Sequence, residues 1–390
     1  FDDCSNLVSI DLNQVQIIED WAFHGCDSLN SVFITSQIKV IGKYAFGSCD
    51  SLVSIDVDSN NDNFSSYHGT LYSKDFKTLL QYPIGKKDKV FNSHRSCKKI
   101  AFRALSDAIY LEYINLVSVK HISDKAFYYS ESLRKVDAYT NCIEKGQDIF
   151  SYTLTEDFSY HKPIKKLHLF ADTHGIVRYK IIKEYVDKNT LDKTDAIVVL
   201  GDFGLVWDEP MKNDLLDFYN NLSCEVLFVD GNHENFDLLQ KFPKEYRYGS
   251  EVTKISENVF HLLRGNIYTI GMKKIFTFGG AYSIKQDTDS SPVYVWKQEL
   301  PSEDEYHNAL SNLKKGNFNV DYVFTHQGPR FILDKINYKY SKNEYEFLDF
   351  LNSIANKTSF EKWYFGHIHQ DIDYEKYKSL YVGFEVIHVD

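Results

Sequence analysis

Apolar positions recur with two different rhythms along this chain, and the change falls near residue 160. In the first part, Cys4-Ser5-Asn6-Leu7-Val8-Ser9-Ile10 returns as Cys26-Asp27-Ser28-Leu29-Asn30-Ser31-Val32 and again as Cys49-Asp50-Ser51-Leu52-Val53-Ser54-Ile55. Between these, Ile18-Glu19-Asp20-Trp21-Ala22-Phe23 returns as Ile41-Gly42-Lys43-Tyr44-Ala45-Phe46 and later as Ile122-Ser123-Asp124-Lys125-Ala126-Phe127, with Ala104-Leu105 and Leu111 marking a more eroded copy. A spacing of 22–23 residues, with apolar residues alternating around each leucine, predicts one short strand per unit and a compact return. A unit that small buries its apolar face only by stacking on its neighbours. Residues 58–90 interrupt the rhythm with Thr70-Leu71-Tyr72 and Thr78-Leu79-Leu80, which read as an inserted hairpin.

From Lys165 onward, short apolar runs alternate with helical or loop segments, and each run ends in the same kind of residue. Leu167–Ala171 leads to Asp172-Thr173-His174, Ala196–Leu200 to Gly201-Asp202, and Glu225–Val229 to Gly231-Asn232-His233-Glu234. Tyr322–Phe324 leads to His326, and Trp363–Phe365 to Gly366-His367-Ile368-His369. Any one of these is a common turn. Five in order place Asp, Asn and His at strand carboxyl ends, where side chains of neighbouring strands converge on one edge of a sheet. Mixed oxygen and imidazole donors suit Mn, Fe, Zn or Co better than Ca. His168 and His261 lie inside apolar runs and read as packed core histidines.

Composition narrows the classes. The chain has 390 residues, 43% hydrophobic and 25% charged, which argues against disorder and fits two domains. No apolar run approaches the ~18 residues of a membrane-spanning helix. Lys+Arg 44 against Asp+Glu 55 gives −11, which disfavours general nucleic-acid binding. Cys4, Cys26 and Cys49 share one repeat position and read as small buried thiols in a column rather than as a disulfide. Cys97, Cys142 and Cys224 show no metal-ligand spacing. This usage leans toward a reducing, cytoplasmic setting. The chain opens at Phe1 without Met and in mid-unit, so further residues are expected to precede it.

The AF-x-x-C-x-x-L units resemble the BspA-like leucine-rich repeats. The ordered set D-x-H, GD, GNHE, a later H and GHxH resembles the calcineurin-like metallophosphoesterases. Together they imply an α/β chain: a leucine-rich-repeat solenoid over residues 1–150, a linker at 151–162, and a four-layer αββα sandwich over 163–390. The second resemblance implies two divalent cations. Asp172, His174 and His369 would hold the first, Asp202 would bridge both, and Asn232, His326 and His367 would complete the second. His233 is the implied non-ligand that protonates the leaving oxygen, and a metal-bridging hydroxide is the implied nucleophile on phosphomonoesters or phosphodiesters. The repeats would dock a partner or substrate. The alternative is a repeat-based interaction or surface protein with a vestigial phosphoesterase half, against which the complete ligand set speaks.

The second motif continues Gly201-Asp202-Phe203-Gly204-Leu205-Val206-Trp207-Asp208, without the GDxxDRG arginine of the familiar protein phosphatases. Gly279-Gly280-Ala281-Tyr282-Ser283 resembles a bacterial and phage phosphoesterase group, but Ile284-Lys285 follows where Asp-Lys is usual. Ser302 and Glu305 predict a capping box opening a helix at 303–315. Arg330 admits two readings, substrate phosphate contact or exposed structural arginine.

Overall fold

The 22–23-residue period reappears as a hydrogen-bonding register. In the computed structural model, which describes residues 1–139, 143–156, 158–207, 213–283 and 296–390, short parallel strands stack one repeat apart. Ile17 faces Val40 and Ser31 faces Ser54, each an offset of 23, while Tyr113 faces Lys135 at an offset of 22. Cys142, Asp208 and Ile284-Lys285 lie outside the described residues. Two compact units divide the chain, Phe1–Lys162 and Pro163–Asp390.

The repeat unit has two strands per turn rather than the single one expected, giving separate parallel ladders through Ser31–Ile34 and through Ile17–Ile18. Two-residue strands such as Val40–Ile41 are too short to leave an alternation in sequence. Two residues per turn, four apart, take a left-handed conformation, as at Tyr44 and Ser48, Arg103 and Asp107, Lys125 and Tyr129, and Asp148 and Tyr152. The cost is offset by amide bonds to the next rung, as from Phe23 to the Ala45 carbonyl (2.8 Å) and from Lys125 to the Gln147 carbonyl (2.8 Å). Phe1, Phe23 and Phe46 stack face to face at 5.4 and 5.5 Å.

Cys26 and Cys49 are buried free thiols that donate to the Phe1 and Phe23 carbonyls at 3.2 and 3.1 Å, and burial pushes Cys49 up to about 12. Cys4 is exposed. The interruption is a three-strand antiparallel meander, Phe64–Tyr67, Thr70–Ser73 and Thr78–Gln81, more than a hairpin. Its last strand pairs in parallel with Lys99–Ile100, which returns the chain to the ladder. Residues 151–162 do not read as a bare linker. Ser159 and Tyr160 pair with Asp137 and Ala138, and Phe158 is buried against Phe150 at 4.9 Å.

The second unit is an α/β sandwich of two mixed sheets. One centres on Lys166–Phe170, Asp195–Leu200, Glu225–Val229 and Val259–Leu262, all parallel, with antiparallel strands at both edges. The other centres on Lys273–Phe278, Tyr322–Thr325 and Lys362–Phe365. Alternate residues of each strand build opposite layers. Phe170, Ile197, Val199, Val226 and Phe228 pack with Ile182 and Tyr219 of the helices Lys180–Lys188 and Asn213–Asn220. Phe276, Phe278, Val323, Trp363 and Phe365 pack with Leu313, Leu348 and Leu351 of the helices Glu303–Lys315 and Tyr345–Lys357. The intervening residues, among them Leu169, Val198, Leu227, Ile275 and Phe324, are equally buried and form the layer between the sheets. Strands covered on both faces explain the continuous apolar runs.

The helix Glu303–Lys315 carries the expected capping box: Ser302 accepts from the Glu305 amide, and Glu305 accepts from the Ser302 amide at 2.7 Å. Ser302→Ala is expected to destabilise this unit by about 1 kcal/mol, read as a lower urea midpoint at unchanged slope. No helix among the described residues is long and apolar enough to cross a membrane.

Candidate metal centre

Every strand that ends in a polar motif delivers that motif to one edge. Asp172 and His174 follow Lys166–Phe170, Asp202 follows Asp195–Leu200, and Asn232 and His233 follow Glu225–Val229. From the second sheet, His326 follows Tyr322–Thr325, and His367 and His369 follow Lys362–Phe365. Five of these residues hold a positive φ between 46° and 64°: Asp172, His174, Asp202, His367 and His369. Such backbone is unfavourable for side-chain-bearing residues and persists only where the surroundings impose it. Gly201, at φ 81°, leaves room where a Cβ would strike the His326 ring.

Two clusters of donor atoms result, each within 4.8 Å: Asp172, His174 and His369, and Asp172, Asp202 and His326. His174 Nε2 lies 3.5 Å from His369 Nε2 and 3.7 Å from Asp202 Oδ2. His326 Nε2 lies 3.3 Å from Asp202 Oδ1 and 3.2 Å from Asn232 Oδ1, while its Nδ1 faces the Leu200 carbonyl at 2.8 Å. The residue common to both clusters is thus Asp172, with Asp202 between His326 and His174. The His367 ring sits 5.1 Å from that of His326, and the His233 ring 5.3 Å from that of His174. The His233 amide donates to Asp202 Oδ1 at 2.8 Å.

The donor set fits cations. Asp172, Asp202, Asn232 and His326 are buried, and buried His367 Nε2 has no hydrogen-bond partner. A buried imidazole nitrogen left unpaired is costly unless something coordinates it. Burial opposes ionisation of Asp202, yet His326, His233 and His174 reverse this and hold its carboxyl well below the ordinary range. Burial likewise disfavours charge on His326, but the Asp202 carboxylate raises it to about 9. Burial, reinforced by His326, drives His367 down to about 3, so its ring stays neutral and available as a ligand.

Surrounding residues that the motifs do not name fix this edge. Buried Glu234 accepts from the Phe203 amide at 2.7 Å and the Gly204 amide at 3.3 Å, pinning the loop after Asp202. Burial, and then the Asp202 charge, push its carboxyl well up. Asn232 Nδ2 donates to Ser283 Oγ at 2.9 Å, which gives the Gly279–Ser283 motif a place in the site. Tyr381 stacks on His369 at 4.6 Å, and Arg178 lies over Tyr381 while donating to the Asp172 and Tyr381 carbonyls at 3.0 and 2.7 Å. Only the Gly-Asn-His-Glu run carried a signal for Glu234; Arg178 and Tyr381 are 203 residues apart and carried none. His168 is buried as expected, between Tyr185 Oη (2.7 Å) and Asp195 (3.1 Å). Arg330 engages Asp349 at 3.1 Å and Tyr340 at 3.0 Å on the surface, the structural alternative.

Residues 165–371 match the calcineurin-like phosphoesterase family, and the chain belongs to it. That family generally uses divalent metal. Residues 1–74 and 87–185 match the BspA type leucine rich repeat region in six copies. The two matches overlap over 165–185, which here form the strand Lys166–Phe170 and part of the helix Lys180–Lys188 of the second unit. A probable cyclic nucleotide phosphodiesterase of Coxiella burnetii is 27% identical over 188 residues, 48% of this chain and 65% of that protein. The chain therefore spans just under two thirds of that relative's length. Among solved structures, a leucine-rich repeat protein from Eubacterium ventriosum is 19% identical, covering 56% of this chain and 55% of that one, at a TM-score of 0.35. A putative 5'-nucleotidase from Staphylococcus aureus is 14% identical, covering 55% and 48%, at 0.31.

Proposed function

We propose that this chain hydrolyses phosphate esters at a centre of two divalent cations. Asp172, His174 and His369 would hold one, Asn232, His326 and His367 the other, and Asp202 would serve both. The observation that carries the reading is the clustering of Asp172, His174, Asp202, His326 and His369, with Asn232 and His367 beside His326 and the His367 nitrogen buried and unpartnered. When bound, two such ions neutralise phosphoryl oxygens and acidify water. The chain's own part is positional. Strained loops hold the donors in place before substrate arrives, and Asp202 is oriented by the His233 amide. By this reading His233, beside His174 but outside both donor clusters, gives a proton to the leaving oxygen.

Phosphodiesters belong among the substrates to be tried, since the Coxiella relative is described as a probable cyclic nucleotide phosphodiesterase. The repeat unit, by this reading, docks a partner or substrate; its stacked rungs supply an extended surface of the kind repeat proteins use. The test is metal analysis beside assays of p-nitrophenyl phosphate and bis(p-nitrophenyl) phosphate with Mn, Zn, Co or Fe. The expected result is close to two ions per chain and metal-dependent release of p-nitrophenol. On methyl phosphate, whose leaving alkoxide needs a proton, His233→Ala should lose on the order of 10²-fold in kcat while keeping its metal. One ion per chain, or turnover indifferent to His233, would overturn the reading.

A further inference from the structure

A cleft of about 310 Å³ opens directly beside His174 and His233. Its rim is Ile176 and Val177, on the turn that follows His174; they are 62% and 74% exposed, unusually open for aliphatic side chains. Leu205 and Leu215 form buried lining, and Trp207 closes one wall, set edge-on to Trp296 at 5.6 Å. The rim does not stand alone. The Gly175 amide donates to the Phe203 carbonyl at 2.8 Å, and a Cβ at Gly175 would run into the Gly204 carbonyl. The turn is therefore clamped against the loop that positions Asp202.

We propose that this cleft is the subsite for the organic group of the ester on its leaving-oxygen side, and that it selects an uncharged, apolar group about the size of one ring. Continuity with His233 fixes which side of the phosphorus it serves. Beyond His174 and His233 at its inner end, its described lining residues carry no ionisable side chain, so the described outer wall offers a charged group no partner. The volume sits at the low end for small-molecule sites and is too small for a peptide segment with its side chains. A bound ring would cover Ile176 and Val177, whose exposure otherwise leaves apolar surface in water.

The inference rests on the role given to His233, so its test separates the two. Calorimetry with Mn²⁺ present compares benzylphosphonate with methylphosphonate, and phosphate release compares benzyl phosphate with methyl phosphate, whose alcohols are of similar acidity. The benzyl compound should be preferred about tenfold in both measurements, roughly what burying one ring supplies. In the double variant I176S/V177S, neutral and on the open rim, the ratio should fall to about twofold or less. Equal affinity for the two phosphonates, or a preference that survives the double variant, overturns the subsite. A benzyl preference in binding without turnover of any ester supports the subsite and overturns the reaction instead.

Discussion

Asp202→Asn should lower kcat/KM by on the order of 10³-fold or more, with the secondary structure unchanged. The two side chains are nearly isosteric, and asparagine keeps an oxygen to accept the 2.8 Å bond from the His233 amide. What it removes is charge at the centre of the arrangement. The buried carboxylate lies 3.3 Å from His326 Nε2 and 3.7 Å from His174 Nε2, so it faces both halves of the donor set. A neutral amide cannot share two anionic oxygens between cations. Metal content should fall, and with it the rise in melting temperature expected of the wild type on adding Mn²⁺, since an ion bound only by the native state stabilises by mass action. Steady-state kinetics beside elemental analysis reads both effects. A variant that keeps its metal and its turnover would remove Asp202 from the reaction.

How much of this was visible in the chain depends on how far apart the interacting residues lie. The repeat period was legible because every rung repeats the same burial, so Leu29 and Leu52 are both inaccessible in equivalent places. The second ladder was not, because Val40–Ile41 and Lys99–Ile100 are two residues long and half-exposed. Each proposed ligand position follows an apolar strand, and a run buried on both faces followed at once by Asp or His stands out in one dimension. Glu234 stands in the Gly-Asn-His-Glu run but showed no role, because its partners are the amides of Phe203 and Gly204, 31 and 30 residues earlier and without any side-chain signature. His261 was legible as buried but not as paired, since its Asp230 partner is 31 residues away.

That pairing leads to the largest stability effect expected outside the metal ligands. Asp230 closes the strand Glu225–Val229 two residues before Asn232, and it is buried. It accepts from His261 Nε2 at 3.0 Å and from Arg264 Nε at 2.8 Å, with Arg264 Nη2 as a further donor. Arg264 also donates to the Gln298 carbonyl at 2.8 Å, which ties the strand end to the residues preceding the helix Glu303–Lys315. Burial alone would raise the Asp230 carboxyl, but Arg264 and His261 hold it well below its ordinary 3.8. Arg264→Met keeps much of the volume and strands a buried carboxylate, which costs about 3–5 kcal/mol. In a unit of this size that is a fall of roughly 6–20 °C in melting temperature.

The pH dependence has a definite sign. A carboxyl depressed in the folded state contributes its full stabilisation above its unfolded value and loses it as the pH falls toward the lower native one. Wild-type protein should therefore hold this contribution at pH 5 and begin to lose it only below about pH 4. Arg264→Met should be least stable near neutrality relative to wild type, with the gap narrowing in acid as Asp230 takes up a proton. Adding Asp230→Asn to Arg264→Met should recover part of the loss, because no stranded charge then remains. A single variant as stable as wild type at pH 7, or a double variant no better than the single, would mean that the pair is not what fastens Asn232 to its strand.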